Sequence, residues 1–245
     1  MTAQTLFDKI WDGHVVRELD NGWSVLHIDR HLLHDLSGPP ALDELASRSL
    51  SIRNPSLTFA TPDHLISTSP DRSTEPAGSD SKWASMRSAT RRVNIPVFDV
   101  GGSHQGIVHV MAPELGLVLP GSTLVCSDSH TCTNGAVGAV ALGVGSSQSG
   151  QVLAAQVLRL QRPQSMRITI DGVLPVGVTA KDVALTLIAR FGTDVANGCA
   201  VEYAGSTVRS MSMEERMTLC NLSVELGART GLVAPDDTTL DWLRA

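Results

Sequence analysis

The chain is short of several things at once, and each shortage removes a class of function. Its 245 residues include only four phenylalanines, four tryptophans and one tyrosine, too few rings to furnish base-stacking platforms for single-stranded nucleic acid. Positive charge is also scarce. Nineteen Lys and Arg stand against 25 Asp and Glu, a formal net charge of −6, so no broad basic field attracts nucleic acid or an anionic membrane, although a local cationic pocket stays compatible. The longest small-apolar stretch, Gly135 to Gly145, is too short and too glycine-rich to span a bilayer. It is expected to be a buried segment.

Residues Met1 to Val16 mix apolar and charged side chains without a basic start and an apolar core. A secretory signal is therefore not expected there, and the cytoplasm is the expected compartment. The four cysteines, Cys126, Cys132, Cys199 and Cys220, are scattered with no C-x2-C pair, the pattern of reduced, mostly buried thiols. Three catalytic signatures are missing as well. Gly143-Val144-Gly145 lacks the third glycine of a dinucleotide fingerprint, and there is neither a G-x4-G-K-[ST] loop nor a G-x-S-x-G elbow. Hydride transfer, nucleotide hydrolysis and serine hydrolysis lose support.

What remains is a globular composition, 42% hydrophobic and 18% charged with 21 glycines. Apolar runs near Ser24–Ile28, Leu57–Ala60, Ile95–Phe98, Thr123–Cys126 and Arg167–Ile170 predict strands, mostly of buried type. Helical patterns alternate with them, the mark of α/β layers. Thr5 to Val16 directs Leu6, Ile10 and Val15 to one side, and Ser81 to Arg92 forms a basic helix. Thr179-x-x-Asp182 opens a helix that Gly192 closes, and Ser212-x-x-Glu215 opens another running to Leu226 before Gly227. Pro163, within the polar Gln161 to Ser165, marks a boundary between residues 1–162 and a smaller unit over 163–245. Ser67 to Ser81, rich in Ser, Pro, Asp and Gly, predicts a long exposed loop.

The chemistry-bearing residues are unevenly spread. All eight histidines fall between His14 and His130. Ser127-Asp128-Ser129-His130-Thr131 follows the strand Thr123–Cys126, where open α/β sheets meet ligands. If the segment stays extended, Asp128 and His130 share a face; the alternative is a helix N-cap. In Asp63-His64, adjacent extended residues would point to opposite faces, so each would find its partner elsewhere in the fold. Asn221 and Glu225, four apart on the helix, share a face that Cys220, Leu222 and Leu226 suggest is partly buried, which calls for a histidine or water beside the glutamate. His14, His27 and His104 are expected to be structural or surface residues, and the histidine spacing predicts no metal site.

Six ordered segments carry a resemblance: TLFDKIWDGHVV (Thr5 to Val16), IDRHLLHDL (Ile28 to Leu36), TFATPDHLIST (Thr58 to Thr68), QGIVHVMAPELGLVLPG (Gln105 to Gly121), CSDSHTCTNGAVGA (Cys126 to Ala139) and RMTLCNLSVELGARTGLVAPDDTT (Arg216 to Thr239). Together they resemble the aconitase superfamily, and VAPDDTT favours its isopropylmalate branch. The resemblance runs nearly end to end and is weakest between Ser69 and Asn94. It implies a three-layer α/β/α domain followed by a smaller α/β domain, and a hydro-lyase that removes water from 2-isopropylmalate and returns it at the neighbouring carbon through isopropylmaleate. It implies a [4Fe-4S] cluster as Lewis acid. Asp63 and His64 match a pair assisting hydroxyl loss, and His109 and Asp128 match a second pair. Ser129 matches a position lining the site, and His130 and Glu225 match residues near the iron-bound water, with Asn221 beside them.

The chain also departs from the family. None of its four cysteines matches the cluster ligands, which the family carries in a third domain, and Gln148 stands where the family usually has an acidic residue. The expected partners are therefore a hydroxy-dicarboxylate substrate, a cysteine-bearing C-terminal half and a small swivel-domain subunit. A non-catalytic remnant of the fold, or a hydro-lyase for a homocitrate-like or citrate-like acid, stays open at this stage.

Overall fold

The computed structural model describes residues 3–69, 75 and 77–245. The positions 70–74 and 76 of the expected Ser67–Ser81 loop lie outside the described residues. Helix α1 (Leu6–His14) opens with Thr5, whose hydroxyl accepts from the Asp8 amide while the Asp8 carboxylate accepts from the Thr5 amide. This reciprocal cap satisfies two otherwise orphaned donors. The helix buries Phe7, Ile10 and Trp11 rather than the expected Leu6, Ile10 and Val15, because the chain leaves the helix after His14 and Val15 begins a strand.

Three sheets follow among the described residues. Strands β1 (Val15–Glu18), β2 (Trp23–His27) and β7 (Val157–Gln161) form an antiparallel sheet in the order β1-β2-β7. Strands β3 (Arg30–His34), β4 (Thr58–Thr61), β5 (Thr123–Cys126) and β6 (Val140–Gly143) form a parallel sheet ordered β4-β3-β5-β6. A second parallel sheet, ordered β10-β9-β8, uses β8 (Gln164–Thr169), β9 (Cys199–Ala204) and β10 (Thr230–Val233). The protein is thus a mixed α/β fold with parallel sheets. Ile95–Phe98 contributes only a single bridge, Ala60 to Val97, and β8 alternates exposed and half-buried residues instead of being buried.

The remaining helices are α2 (Gly38–Ser47), α3 (Ser79–Arg92), α4 (Val108–Glu114), α5 (Ser146–Ala155), α6 (Ala180–Phe191), α7 (Ser206–Ser210), α8 (Met213–Asn221) and α9 (Asp237–Arg244). Both faces of the four-stranded sheet are covered. Leu33 and Ala60 pack with Leu42, Met86 and Leu153 on one side, while Leu32 and Leu124 pack with Met111, Val137 and Val201 on the other. Such burial on both faces is what helical crossovers impose on parallel strands.

A 3-10 segment, Ser129–Val137, wedges between the two parallel sheets. A Cβ on Gly135 would lie 1.7 Å from the Gly231 carbonyl oxygen, so only glycine permits this approach. The same core joins Leu124 of β5 to Val201 and Tyr203 of β9, and packing continues across residue 162. The expected helix Ser212–Leu226 ends as an α-helix at Asn221 and tightens into 3-10 over Leu222–Leu226 before Gly227 at φ +82°. No helix among the described residues is long and apolar enough to cross a membrane.

Candidate active site

The polar residues gather where β3, β4 and β5 end. Asp35, just past β3, collects the chain after β4. Its Oδ1 accepts from the amides of Asp63 (3.0 Å) and His64 (3.0 Å), and its Oδ2 accepts from the Leu65 amide (2.9 Å). Burial pushes this carboxyl up, but the three amides prevail and hold it below its ordinary value. The chain therefore turns at once after β4 instead of continuing extended. That turn overturns the expected opposition of Asp63 and His64: Asp63 Oδ1 and His64 Nδ1 lie 2.5 Å apart.

Asp63 and Asp128 flank the ring of His64. The other ring nitrogen, Nε2, lies 3.1 Å from Asp128 Oδ2. Asp128 and then Asp63 favour the protonated ring over the opposing effect of burial, pushing its pKa up to about 10. His64 is thus an imidazolium at neutral pH, with its side chain 31% exposed. Its ring stacks on that of His34, centroids 3.9 Å apart and planes inclined by 16°. His34 lies against the Ser127 carbonyl through Nε2 at 3.0 Å, and burial pushes its pKa down. A neutral ring therefore backs a charged one.

Asp63 also reaches the next element. Its Oδ2 accepts from the Val108 amide at 2.9 Å, at the start of α4, which places His109 one residue into that helix. His109 is buried, and its Nδ1 faces the Asn134 amide nitrogen at 3.2 Å. That nitrogen also donates to the Thr131 carbonyl, so Asn134 is the donor and the His109 proton sits on Nε2. Nε2 lies 3.2 Å from Asp128 Oδ1 but out of line for a hydrogen bond, leaving an electrostatic contact. His109 and His64 together hold the Asp128 carboxyl far below the usual carboxylate range.

The segment does not stay extended, so Asp128 and His130 do not share a face, and the N-cap alternative is the one that forms. Asp128 is the N-cap of the 3-10 segment, its Oδ1 accepting from the His130 amide at 2.7 Å, and it also faces two imidazoles. His130 points to other partners: Nδ1 lies 3.1 Å from Ser129 Oγ, and Nε2 lies 3.3 Å from Glu225 Oε1. Glu225 has its expected histidine but is 52% exposed, because the 3-10 turn swings it off the buried face of α8. Asn221 donates to Thr133 Oγ1 at 2.9 Å, tying α8 to the 3-10 segment. Its contacts are separate from those of Glu225.

The expected site residues thus form two contact groups: Asp63, His64, His109 and Asp128 in one, and Ser129, His130 and Glu225 in the other, with Asn221 beside them. His34, Asp35 and Asn134 were missed as site residues. The signal for the first two was present in His34-Asp35 at the end of an apolar strand. For Asn134, only the fold reveals the contact.

Ligand atoms of His34, Asp35, Asp63 and His64 lie within 4.8 Å of one another. Amides of Asp63, His64 and Leu65 already occupy Asp35, and the Ser127 carbonyl occupies His34, so this group is a hydrogen-bonded scaffold. The cysteines do not fit an iron–sulfur cluster. All four are buried free thiols, and burial pushes the thiols of Cys126 and Cys220 well up and that of Cys132 up to about 12. Cluster iron takes thiolates, and Cys132 and Cys199 instead face the carbonyls of Asn221 and Asn197.

Paired carboxylates and histidines gather at the trailing ends of parallel strands on an α/β scaffold, residue types capable of moving protons. The sequence pattern of the aconitase family (aconitate hydratase) matches residues 8–245, and the chain belongs to that family. It is 53% identical over 242 residues to the 3-isopropylmalate dehydratase large subunit 1 of Bradyrhizobium diazoefficiens, covering 99% of this chain and 51% of that protein. It is 45% identical over 241 residues to the 3-isopropylmalate dehydratase large subunit of Oceanobacillus iheyensis, covering 98% of this chain and 52% of that protein. The chain spans about half the length of these curated relatives.

Proposed function

We propose that this chain supplies the proton-handling groups of a hydro-lyase that interconverts 2-isopropylmalate and 3-isopropylmalate through isopropylmaleate, in leucine biosynthesis. The observation that carries this reading is the His64 imidazolium held between Asp63 and Asp128, with part of its ring in the open. Losing a hydroxyl from carbon is difficult because hydroxide is a poor leaving group. An acid of pKa about 10 still transfers its proton readily to a departing hydroxide, whose conjugate acid, water, has a pKa of about 15.7.

In this reading the substrate hydroxyl takes the place at His64 Nε2 that Asp128 holds at 3.1 Å. Asp63 keeps Nδ1 fixed, so the ring stays oriented while its proton moves. His109 helps keep Asp128 a carboxylate, whose charge favours the proton on His64. When water returns, its proton goes back to His64 Nε2, and we assign the base that takes the carbon-bound proton to the small swivel-domain subunit. Ser129, His130 and Glu225 form the second wall, where a histidine and a carboxylate can orient the water, and Asn221 secures the segment behind them.

The cluster associated with the family is held by none of this chain's cysteines, and no step above runs through it. We assign its ligands to a cysteine-bearing partner segment and the closing of the site to a small swivel-domain subunit, with assembly in the cytoplasm. Residues 1–162 then act as a three-layer α/β/α unit and 163–245 as a smaller α/β unit. The test is reconstitution of the chain with both partners and assay of isopropylmalate dehydration. We expect turnover by the assembly, none by the isolated chain, and a loss of about 10³-fold for His64→Asn. Robust turnover by the isolated chain refutes the division of labour, and full activity of His64→Asn refutes the role of His64.

A further inference from the structure

A cleft of about 310 Å³ opens beside the site, lined by Asp128 and Ser129, by Gly143 and Val144 at the end of β6, and by Val224 and Arg229. Its size suits a small organic acid. The chain makes the cleft by close packing: a Cβ on Gly143 would lie 2.7 Å from the Asp128 carbonyl oxygen, so a side chain there would displace the backbone that carries Asp128. Arg229 is fixed at its base, its amide donating to the Cys199 carbonyl at 2.8 Å, one residue before β10 begins. Its side chain is exposed and has no carboxylate partner among the described residues.

The charges in the cleft make that isolation informative. Asp128 faces His64 and His109, so its negative charge is already answered. The guanidinium of Arg229 is the unanswered charge. Several exposed arginines elsewhere in the chain are paired, as Arg87 is with Asp99, Arg92 with Asp43, and Arg162 with Asp8 and Asp12; what sets Arg229 apart from unpaired ones such as Arg91 is its place in the lining of this cleft. The hydroxyl of exposed Ser129, 3.1 Å from His130 Nδ1, is a second polar group in the lining, and Val144 and Val224 give apolar flanks.

We propose that Arg229 anchors a carboxylate of the substrate, with Ser129 as a second polar contact and Val144 and Val224 receiving an alkyl substituent. A guanidinium takes a carboxylate through two parallel N–H donors, which fixes orientation as well as charge. Because Asp128 lines this cleft and also touches His64, an acid held by Arg229 lies next to the proton-handling groups. The inference rests on the hydro-lyase reading for the identity of the substrate, though not for the existence of the anion site.

Two measurements on the full chain test it. Phenylglyoxal modification, followed residue by residue by mass spectrometry, is run with excess malate, a 2-hydroxy dicarboxylate, and with its uncharged dimethyl ester. Malate should slow modification of Arg229 about tenfold and leave Arg91, exposed on α3, unchanged; the ester should protect neither. Equal rates at Arg229 with and without malate, or equal protection of Arg91, overturn the anchor. In the reconstituted assembly, Arg229→Lys should raise KM about tenfold and Arg229→Ala about 100-fold, with kcat within threefold. An unchanged KM also overturns it. If malate protects Arg229 while His64→Asn keeps full turnover, the proposed function fails and the anchor stands; the reverse pair of results removes the anchor alone.

Discussion

Two histidine–carboxylate clusters lie at opposite ends of the same strands. At the leading ends of β3 and β5, Asp29 accepts from the Thr123 amide at 2.9 Å and donates its own amide to Thr123 Oγ1 at 3.0 Å. His14, at the end of α1, meets Asp29 Oδ2 at 2.8 Å and the Ile10 carbonyl at 2.7 Å. Both ring nitrogens face acceptors, so His14 is a proton-bearing clasp between helix and sheet. At the trailing ends, His64 also faces two acceptors, yet it keeps an open edge, and its partner Asp128 lines a cleft. The same pair of residue types staples the fold at one end and is available for chemistry at the other. What separates them is the end of the strand and the access left to a ligand.

The sharpest way to break this contrast is Asp128→Asn. Asparagine is as good an N-cap as aspartate, so the 3-10 segment keeps its start while the charge facing His64 is lost. On the proposed function, the reconstituted assembly should lose roughly 10²- to 10³-fold in kcat. The pKa of His64 should fall from about 10 toward the ordinary histidine value, as followed by NMR titration of the ring. Retained activity would place the chemistry elsewhere.

Asp29→Ala tests the other end. It strands the Thr123 amide and His14 together, and unfolding in urea should show a loss of about 3 kcal/mol. Activity per folded molecule should be unchanged. A smaller loss arises from pH alone. The pKa of His14 is raised, chiefly by Asp29, so its contribution is complete below about 6.5 and is lost as pH rises through the raised value. Asp29 has its pKa lowered from 3.8 to about 2: burial opposes this, but His14 and the Thr123 amide prevail. Its contribution is complete above 3.8 and is lost as pH falls to about 2. The clasp is one interaction counted once, worth about 2 kcal/mol after allowance for partial exposure. The stability difference between wild type and Asp29→Asn should therefore be widest from about pH 4 to 6.5. A flat difference would show that the clasp does not depend on charge.

How much of this was legible in the sequence follows the same division. Capping boxes at Thr179 and Ser212 were readable because each is a local contact between residues three apart, and both form. Thr123–Cys126 was readable because its burial is continuous. Strand β3 was not, because its histidines at positions 31 and 34 mask a buried run; burial pushes the His31 pKa down to about 3 and leaves the ring neutral, with Nε2 3.0 Å from the Ser149 hydroxyl. The bond between Asp63 and His64 was unreadable for another reason. The turn that creates it is set by Asp35, 28 residues earlier, and periodicity carries no information about such a partner.

The gentlest probe lies at the trailing edge but outside the polar clusters. Helix α5 begins after Gly145, whose amide donates to Gln148 Oε1 at 3.3 Å. Gln148→Glu keeps that acceptor and adds a negative charge in the first turn, where the helix dipole favours it by about 0.5 kcal/mol. The midpoint of thermal unfolding should rise by about 1–2 °C. Turnover by the assembly should not change, because residue 148 touches neither contact group of the site. If activity shifts with this substitution, the trailing edge acts electrostatically as one unit, and the contrast between stapling and catalytic ends must be drawn by field rather than by contact. If only stability moves, contact is the right criterion, and the open edge of His64 is what distinguishes it from His14.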